Sequence, residues 1–247
     1  MDEYLTNPAE NRLKTWHGEE WHTSRGRIIR DIVYAIDTGL ITTVSFLAGV
    51  AIALITQNKV IMAGLIQIIS GTLAIFFGSY VSTKAQKHFF ENQIERERRE
   101  IEETPEKETD EIREIFSDMG FTEEEQQVAV NRITADKKTW LKFMVQEEIG
   151  ITPSMIDNPL EIGLISAGSF LIGALPAIAP FLIFDQVHKA LAVSAASVMV
   201  FLFILGVVKT RFTKMHWLLS GLETLFFGVL SCGAGFFLGK LVNSYFH

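Results

Sequence analysis

Residues 60–83 read VIMAGLIQIISGTLAIFFGSYVST, and residues 84–103 continue as KAQKHFFENQIERERREIEE. The first stretch carries no charged side chain and exceeds the roughly 20 residues a helix needs to cross a hydrocarbon core. The second is charged at more than half of its positions, yet it contains no Gly or Pro and is built from good helix formers. Because no breaker stands at the junction, one helix is expected to cross a bilayer and run on well beyond it. A membrane protein with a polar helical unit inserted in it follows from this stretch.

Working outward, residues 84–150 hold 18 of the chain's 29 Asp and Glu against 11 Lys and Arg, so the whole formal charge of −7 sits there. Elsewhere acids and bases balance. Four more apolar segments, about 32–56, 161–184, 187–208 and 216–243, complete five expected spans. The fold class is therefore all-α. It is expected to be a polytopic membrane protein of five transmembrane helices, with a helical domain between spans two and three whose carboxylates suggest handling of metal cations. The expected division is an N-terminal arm (1–30), spans one and two (31–83), the acidic domain (84–157) and spans three to five (158–247).

Lys and Arg set the orientation. The arm has Arg12, Lys14, Arg25, Arg27 and Arg30, and the loop after span four has Lys209, Arg211 and Lys214, whereas the other side shows only Lys59, Lys189 and Lys240. The positive-inside rule then puts the N-terminus and the acidic domain in the cytosol and the C-terminus outside. A lone Cys232 leaves no disulfide framework and no Cys-based zinc site within one chain.

Within the acidic block, Thr104-Pro105 is expected to open a helix that Gly120 closes. Thr122-Glu123-Glu124-Glu125 is a capping box for the next, and a last helix carries Trp140 and Met144 to Gly150. Glu97 with Glu100, and Glu108 with Glu111, stand three apart on one helix face, and Met144 with Glu148 four apart. Three helices could thus aim carboxylates and a thioether at one point. Oxygen donors alone suit Mg²⁺, Ca²⁺ or Mn²⁺, and an added sulfur shifts preference toward ions such as Fe²⁺. The bland alternative is a solvated face of glutamates beside Arg96, Arg98, Arg99 and Arg113.

Inside the spans, Asp37 and Glu223 are ionisable groups where such groups are expensive and usually functional. Their ordinary roles would be pairing with Arg30 for Asp37, and with Arg211 or Lys214 for Glu223. Ser231, Gly235 and Gly239 form a small-residue face for close helix packing or a homodimer seam. The single E-x-x-H at Glu19-Glu20-Trp21-His22 cannot build a four-helix di-iron site alone.

The stretch from Arg30 to about Leu241 resembles the vacuolar iron transporter family. The resemblance rests on Arg30-Asp31 ahead of Gly39-Leu40, on Gly78-Ser79-Tyr80-Val81-Ser82, on Glu100-Ile101-Glu102-Glu103-Thr104-Pro105 and on Phe143-Met144-Val145-Gln146-Glu147-Glu148-Ile149-Gly150. Gly173-Ala174-Leu175-Pro176 and Ser220-Gly221-Leu222 fit as well. It implies a dimeric carrier, not an enzyme, that moves Fe²⁺ or Mn²⁺ out of the cytosol in exchange for protons, with Glu97, Glu100, Glu108, Glu111, Met144 and Glu148 as metal ligands. Val145 stands where the family has a second Met. In the membrane, Thr38 occupies the place of a family Asp, with Asp37 one residue earlier and about 100° round the helix. Gln67 replaces an acidic residue and Ile75 a Met. The expected pathway is Asp37, Thr38, Gln67 and Glu223. The other reading is a membrane-anchored metal-binding or sensing protein without transport. The expected partners are divalent metal ions, lipid and a second copy of the chain, with no nucleic acid and no cofactor beyond the ion. The expected membrane is a prokaryotic cell membrane, or else that of a vacuole or other organelle.

Overall fold

A computed structural model of the chain describes residues 25–54, 56–152 and 155–246. Residues 1–24 of the expected N-terminal arm, with Arg12, Lys14 and the Glu19 to His22 motif, lie outside the described residues, and its last six, Arg25 to Arg30, belong to the first helix. Among those described there are eight helices and no strand: α1 (Arg25–Leu54), α2 (Gln57–Glu103), α3 (Pro105–Asp118), α4 (Glu123–Thr134), α5 (Lys137–Glu147), α6 (Pro159–Ile183), α7 (Val187–Thr213) and α8 (Trp217–Phe246). Five of them, α1, α2, α6, α7 and α8, are long and apolar enough to cross a membrane, as the apolar runs predict. The chain falls into two compact units, one formed by Arg27–Val81 with Pro159–His247, the other centred on Ser82–Asn158. The 47-residue α2 is unbroken through the change from apolar to charged sequence.

In the membrane unit, glycines set how closely helices meet. A Cβ on Gly235 would lie 2.1 Å from the Ser45 carbonyl oxygen, and one on Gly239 2.4 Å from that of Gly49, so α8 crosses α1 backbone against backbone. The small-residue face is thus occupied inside the chain, which removes Gly235 and Gly239 from the expected homodimer seam. Likewise α6 meets α1 where Gly173 abuts the Ile36 carbonyl and Gly39 that of Phe170.

Pro176 and Pro180 lie inside α6, where each removes a backbone donor. Polar side chains engage carbonyls of this stretch: Ser194 Oγ donates to Ala177 O at 2.6 Å, and Gln57 Nε2 donates to Phe181 O and Phe184 O at 2.5 and 2.8 Å. These bonds tie α6 to the chain at Gln57 and Ser194; the carbonyls that Pro176 and Pro180 leave without a helical donor are those of Ile172 and Pro176.

The polar unit closes on a small core of Ile101, Ile112, Val130, Trp140, Leu141 and Met144. Gly120, at φ 87°, ends the α3 turn as expected. The capping box of α4 is complete, with Glu125 N donating to Thr122 Oγ1 and Thr122 N donating to Glu125 Oε2. Thr104 departs from expectation: its hydroxyl donates back to Glu100 O at 3.1 Å instead of accepting from the first turn of α3. The Glu100 carbonyl near the C-terminus of α2 thus accepts from both the backbone N–H and the hydroxyl of Thr104, while Pro105 opens α3 with no N–H that would need an acceptor.

Candidate metal centre

Three carboxylates converge in the polar unit. One oxygen from each of Glu97, Glu108 and Glu148 lies within 4.8 Å of the others. They come from the charged end of α2, the first turn of α3 and the C-cap of α5, so three helix ends supply one cluster. Only Glu108, at a helix N-terminus, has a favourable helix dipole, and Glu148 stands at the end where a negative charge is disfavoured.

Glu97 is 3% exposed and Glu108 1%. Carboxylates are almost never this buried unless paired. Glu97 Oε1 and Glu108 Oε2 are nevertheless both buried without a hydrogen-bond partner. Such orphaned acceptors are destabilising by about 1–3 kcal/mol each, more when charged, unless something meets them. A divalent cation among three carboxylates would do so, and the donor set is of the hard-oxygen kind.

Proton affinity follows from this crowding. Burial first, then the Glu148 and Glu108 charges, pushes Glu97 up to about 8. Burial and then Glu111 also raise Glu108, while the hydrogen bond it accepts from the Glu97 carboxyl acts the other way. Glu148 is raised by burial, then by Glu111 and Glu100. In the metal-free protein at neutral pH, Glu97 thus holds a proton, with which it donates a hydrogen bond to Glu108. A cation entering the cluster must displace that proton.

Of the six expected ligands, Glu97, Glu108 and Glu148 meet. Met144, one turn before Glu148 on α5, is fully buried in the core beneath. Glu100 and Glu111 turn elsewhere: Glu100 Oε1 accepts from Arg96 at 3.0 Å and Glu111 Oε1 from Lys107 at 2.8 Å. Both still act on Glu148 through their charge. Cations one turn away on the same helix, Arg96 and Lys107, hold these two carboxylates.

In the membrane unit the four expected pathway residues stay apart in character. Thr38 Oγ1 donates to Tyr34 O at 2.7 Å, a bond to its own helix. Gln67 lines a crevice of about 560 Å³ with Phe46, Ala63, Ser70 and Gly71, and its Oε1 is buried without a partner. Asp37 Oδ1 is likewise buried and unpartnered. Two expected pairings are corrected. Arg30 pairs with Asp31 at 3.0 Å, not with Asp37, and Glu223 pairs with Lys209 at 3.6 Å, not with Arg211 or Lys214. Adjacency along one turn decides the first, and the packing of α7 on α8 the second. Sequence reading missed Lys209 as a partner, because only tertiary packing brings it to Glu223.

The architecture is that of an integral membrane protein with five spanning helices, and its polar unit gathers three carboxylates. The chain belongs to the VIT family, whose model matches residues 29–240. It is 28% identical to vacuolar iron transporter 2 of Oryza sativa subsp. japonica over 99% of each chain. To vacuolar iron transporter 1 of Arabidopsis thaliana it is 28% identical over 96% of this chain and 94% of that one. The vacuolar iron transporter of Plasmodium falciparum (isolate 3D7) is 27% identical over 92% of this chain and 86% of its own. Membership makes this a transport protein, not an enzyme. The relatives are named for the vacuole, and the expected prokaryotic cell membrane finds no support among them.

Proposed function

We propose that the protein is a homodimeric carrier that moves Fe²⁺ out of the cytosol across an organelle membrane in exchange for protons, with Mn²⁺ as a second cargo. The observation that carries this reading is the meeting of Glu97, Glu108 and Glu148 with two buried acceptors left open. In this reading the polar unit is cytosolic. Its carboxylates, with Met144 at their base, collect the ion, and clustered negative charge raises the local cation concentration. Asp37, Gln67 and Glu223 then offer oxygen ligands along the membrane path, and Thr38 contributes through its helix alone. Proton exchange suits a collecting site that releases a proton when it binds metal.

The decisive experiment is Fe²⁺ uptake into proteoliposomes under reducing conditions, with and without a pH gradient. Wild type is expected to show gradient-dependent flux. Asp37→Asn is expected to abolish it while Fe²⁺ binding to the detergent-solubilised protein stays within about two-fold, because Asp37 and the carboxylate cluster belong to different units and share no partner. Flux that survives Asp37→Asn would remove Asp37 from the path. A second reading, a membrane-anchored metal-binding sensor, is favoured by Gln67 and Ile75 in place of an acid and a thioether. Stoichiometric Fe²⁺ binding by a wild type without flux would select it.

A further inference from the structure

In the membrane unit, Lys209 of α7 places its ammonium nitrogen 3.6 Å from Glu223 Oε2 of α8, and its charge also acts on Asp37 of α1. Lys209 is thus in contact with one acid, Glu223, while its field reaches a second, Asp37, on another apolar helix. Three features make this more than a strut between α7 and α8. Those helices are already fastened beside the pair, where Ser220 Oγ donates to Gly206 O at 2.8 Å and a Cβ on Gly206 would come within 2.6 Å of Ser220 O. Asp37 Oδ1 is buried with no hydrogen-bond partner, so the positive charge it feels is its compensation in an apolar bundle. Finally, neither side chain of the pair is buried within the chain, Lys209 at 31% and Glu223 at 51% exposure, so the pair is not locked in a packed core.

A lysine ammonium is a compact charge on a flexible four-carbon stem. Set beside two carboxylates that an entering divalent cation would also seek, it is a built-in competitor. We infer that Lys209 is a tethered counter-cation of the membrane path, holding the place of the metal at Glu223 and Asp37 when no ion is bound and swinging aside when one arrives. The inference rests on the carrier reading above and adds a residue to it. Lys209 is a positioning residue: it sets the charge of the empty path and the affinity with which the path accepts metal.

The test is the apparent KM for Fe²⁺ in proteoliposomes, with size-exclusion chromatography as the check of folding. Lys209→Gln removes the competitor and lowers KM by about five-fold, the scale of one partly exposed ion pair. Glu223→Gln removes a metal ligand and frees Lys209 to bind Asp37, so it raises KM. Opposite signs are the signature, because a merely structural pair is broken equally by either variant and moves KM the same way. Same-sign shifts, or none, with normal wild-type flux overturn the inference and leave the carrier reading standing. If Lys209→Gln does not fold, Lys209→Met, which keeps the stem and removes the charge, takes its place in the same comparison: a lowered KM supports the inference and a raised or unchanged one overturns it. A wild type without flux whose Lys209→Gln variant transports Fe²⁺ also supports it, since the lysine then blocks the path. Absence of flux in both overturns the carrier reading and the inference with it.

Discussion

Glu97 and Glu108 in the polar unit and Glu223 in the membrane unit are the same residue type in opposite settings. The first two are buried, unpaired with any cation among the described residues, and left with open acceptor oxygens. Glu223 stands on an apolar helix, half exposed and paired with Lys209. Ordinary folding physics predicts the reverse, with paired charges inside and solvated ones outside. The polar unit thus leaves carboxylate oxygens unmatched, whereas the membrane unit matches its acid with a cation of its own. In the carrier proposed above, a site that gathers a cation would benefit from unsatisfied ligands, and a path that lets it go from a built-in substitute.

Removing the packing of one unit is the harshest way to break this contrast. Gly235→Leu forces side-chain atoms into the Ser45 carbonyl, and because both partners are backbone no rotamer relieves the clash. Loss of monodisperse protein on size-exclusion chromatography is expected. A well-folded Gly235→Leu protein would mean that α1 and α8 do not cross there.

Next in size is the collecting site. Glu97→Ala with Glu108→Ala is expected to weaken Fe²⁺ binding by about 100-fold or more, beyond the roughly 10–100-fold typical of groups outside the ligand shell. Glu100→Ala with Glu111→Ala, which removes carboxylates held by Arg96 and Lys107, should cost about ten-fold or less. Equal losses in anaerobic calorimetry would erase the distinction between the two sets.

A smaller effect concerns pH and stability. Glu97 is raised from its ordinary 4.5 to about 8, so between those values the folded metal-free protein binds more protons than the unfolded chain. Its contribution is fully present below about 4.5 and is lost as pH rises through about 8. Fe²⁺ affinity has the opposite slope, weakening as pH falls below 8, because the ligands must be deprotonated. Glu97→Gln mimics the protonated carboxyl and should stabilise the metal-free protein at pH 8 by about 1–3 kcal/mol while losing Fe²⁺ binding. A variant less stable than wild type at that pH would contradict a strained, open carboxylate. The smallest change expected is Thr122→Ala, which removes the α4 cap for about 1 kcal/mol of stability and shifts the melting temperature without altering Fe²⁺ affinity.

Much of this was legible in the chain. Five apolar runs, the unbroken passage through Lys84, the capping box at Thr122 and the turn at Gly120 are local signals, set by side chains within a few residues of one another. The same-face pairs Glu97 with Glu100, Glu108 with Glu111 and Met144 with Glu148 were legible too, since spacing along each helix alone puts them there.

Which of two equivalent glutamates turns inward was not. Glu97 and Glu100 share a face, and so do Glu108 and Glu111, but only the packing of three helix ends on Ile101, Ile112 and Met144 decides that Glu97 and Glu108 are buried. The same holds for Gly235 and Gly239, whose pattern suits any close partner until α1 is laid against them. It holds again for Glu223, which finds Lys209 across a helix pair rather than the nearer Arg211 or Lys214. Sequence by itself determined the elements, their lengths and the kinds of group they carry, because those depend on local periodicity. Tertiary structure alone decided which groups meet, because burial and pairing depend on distances between residues far apart in the chain.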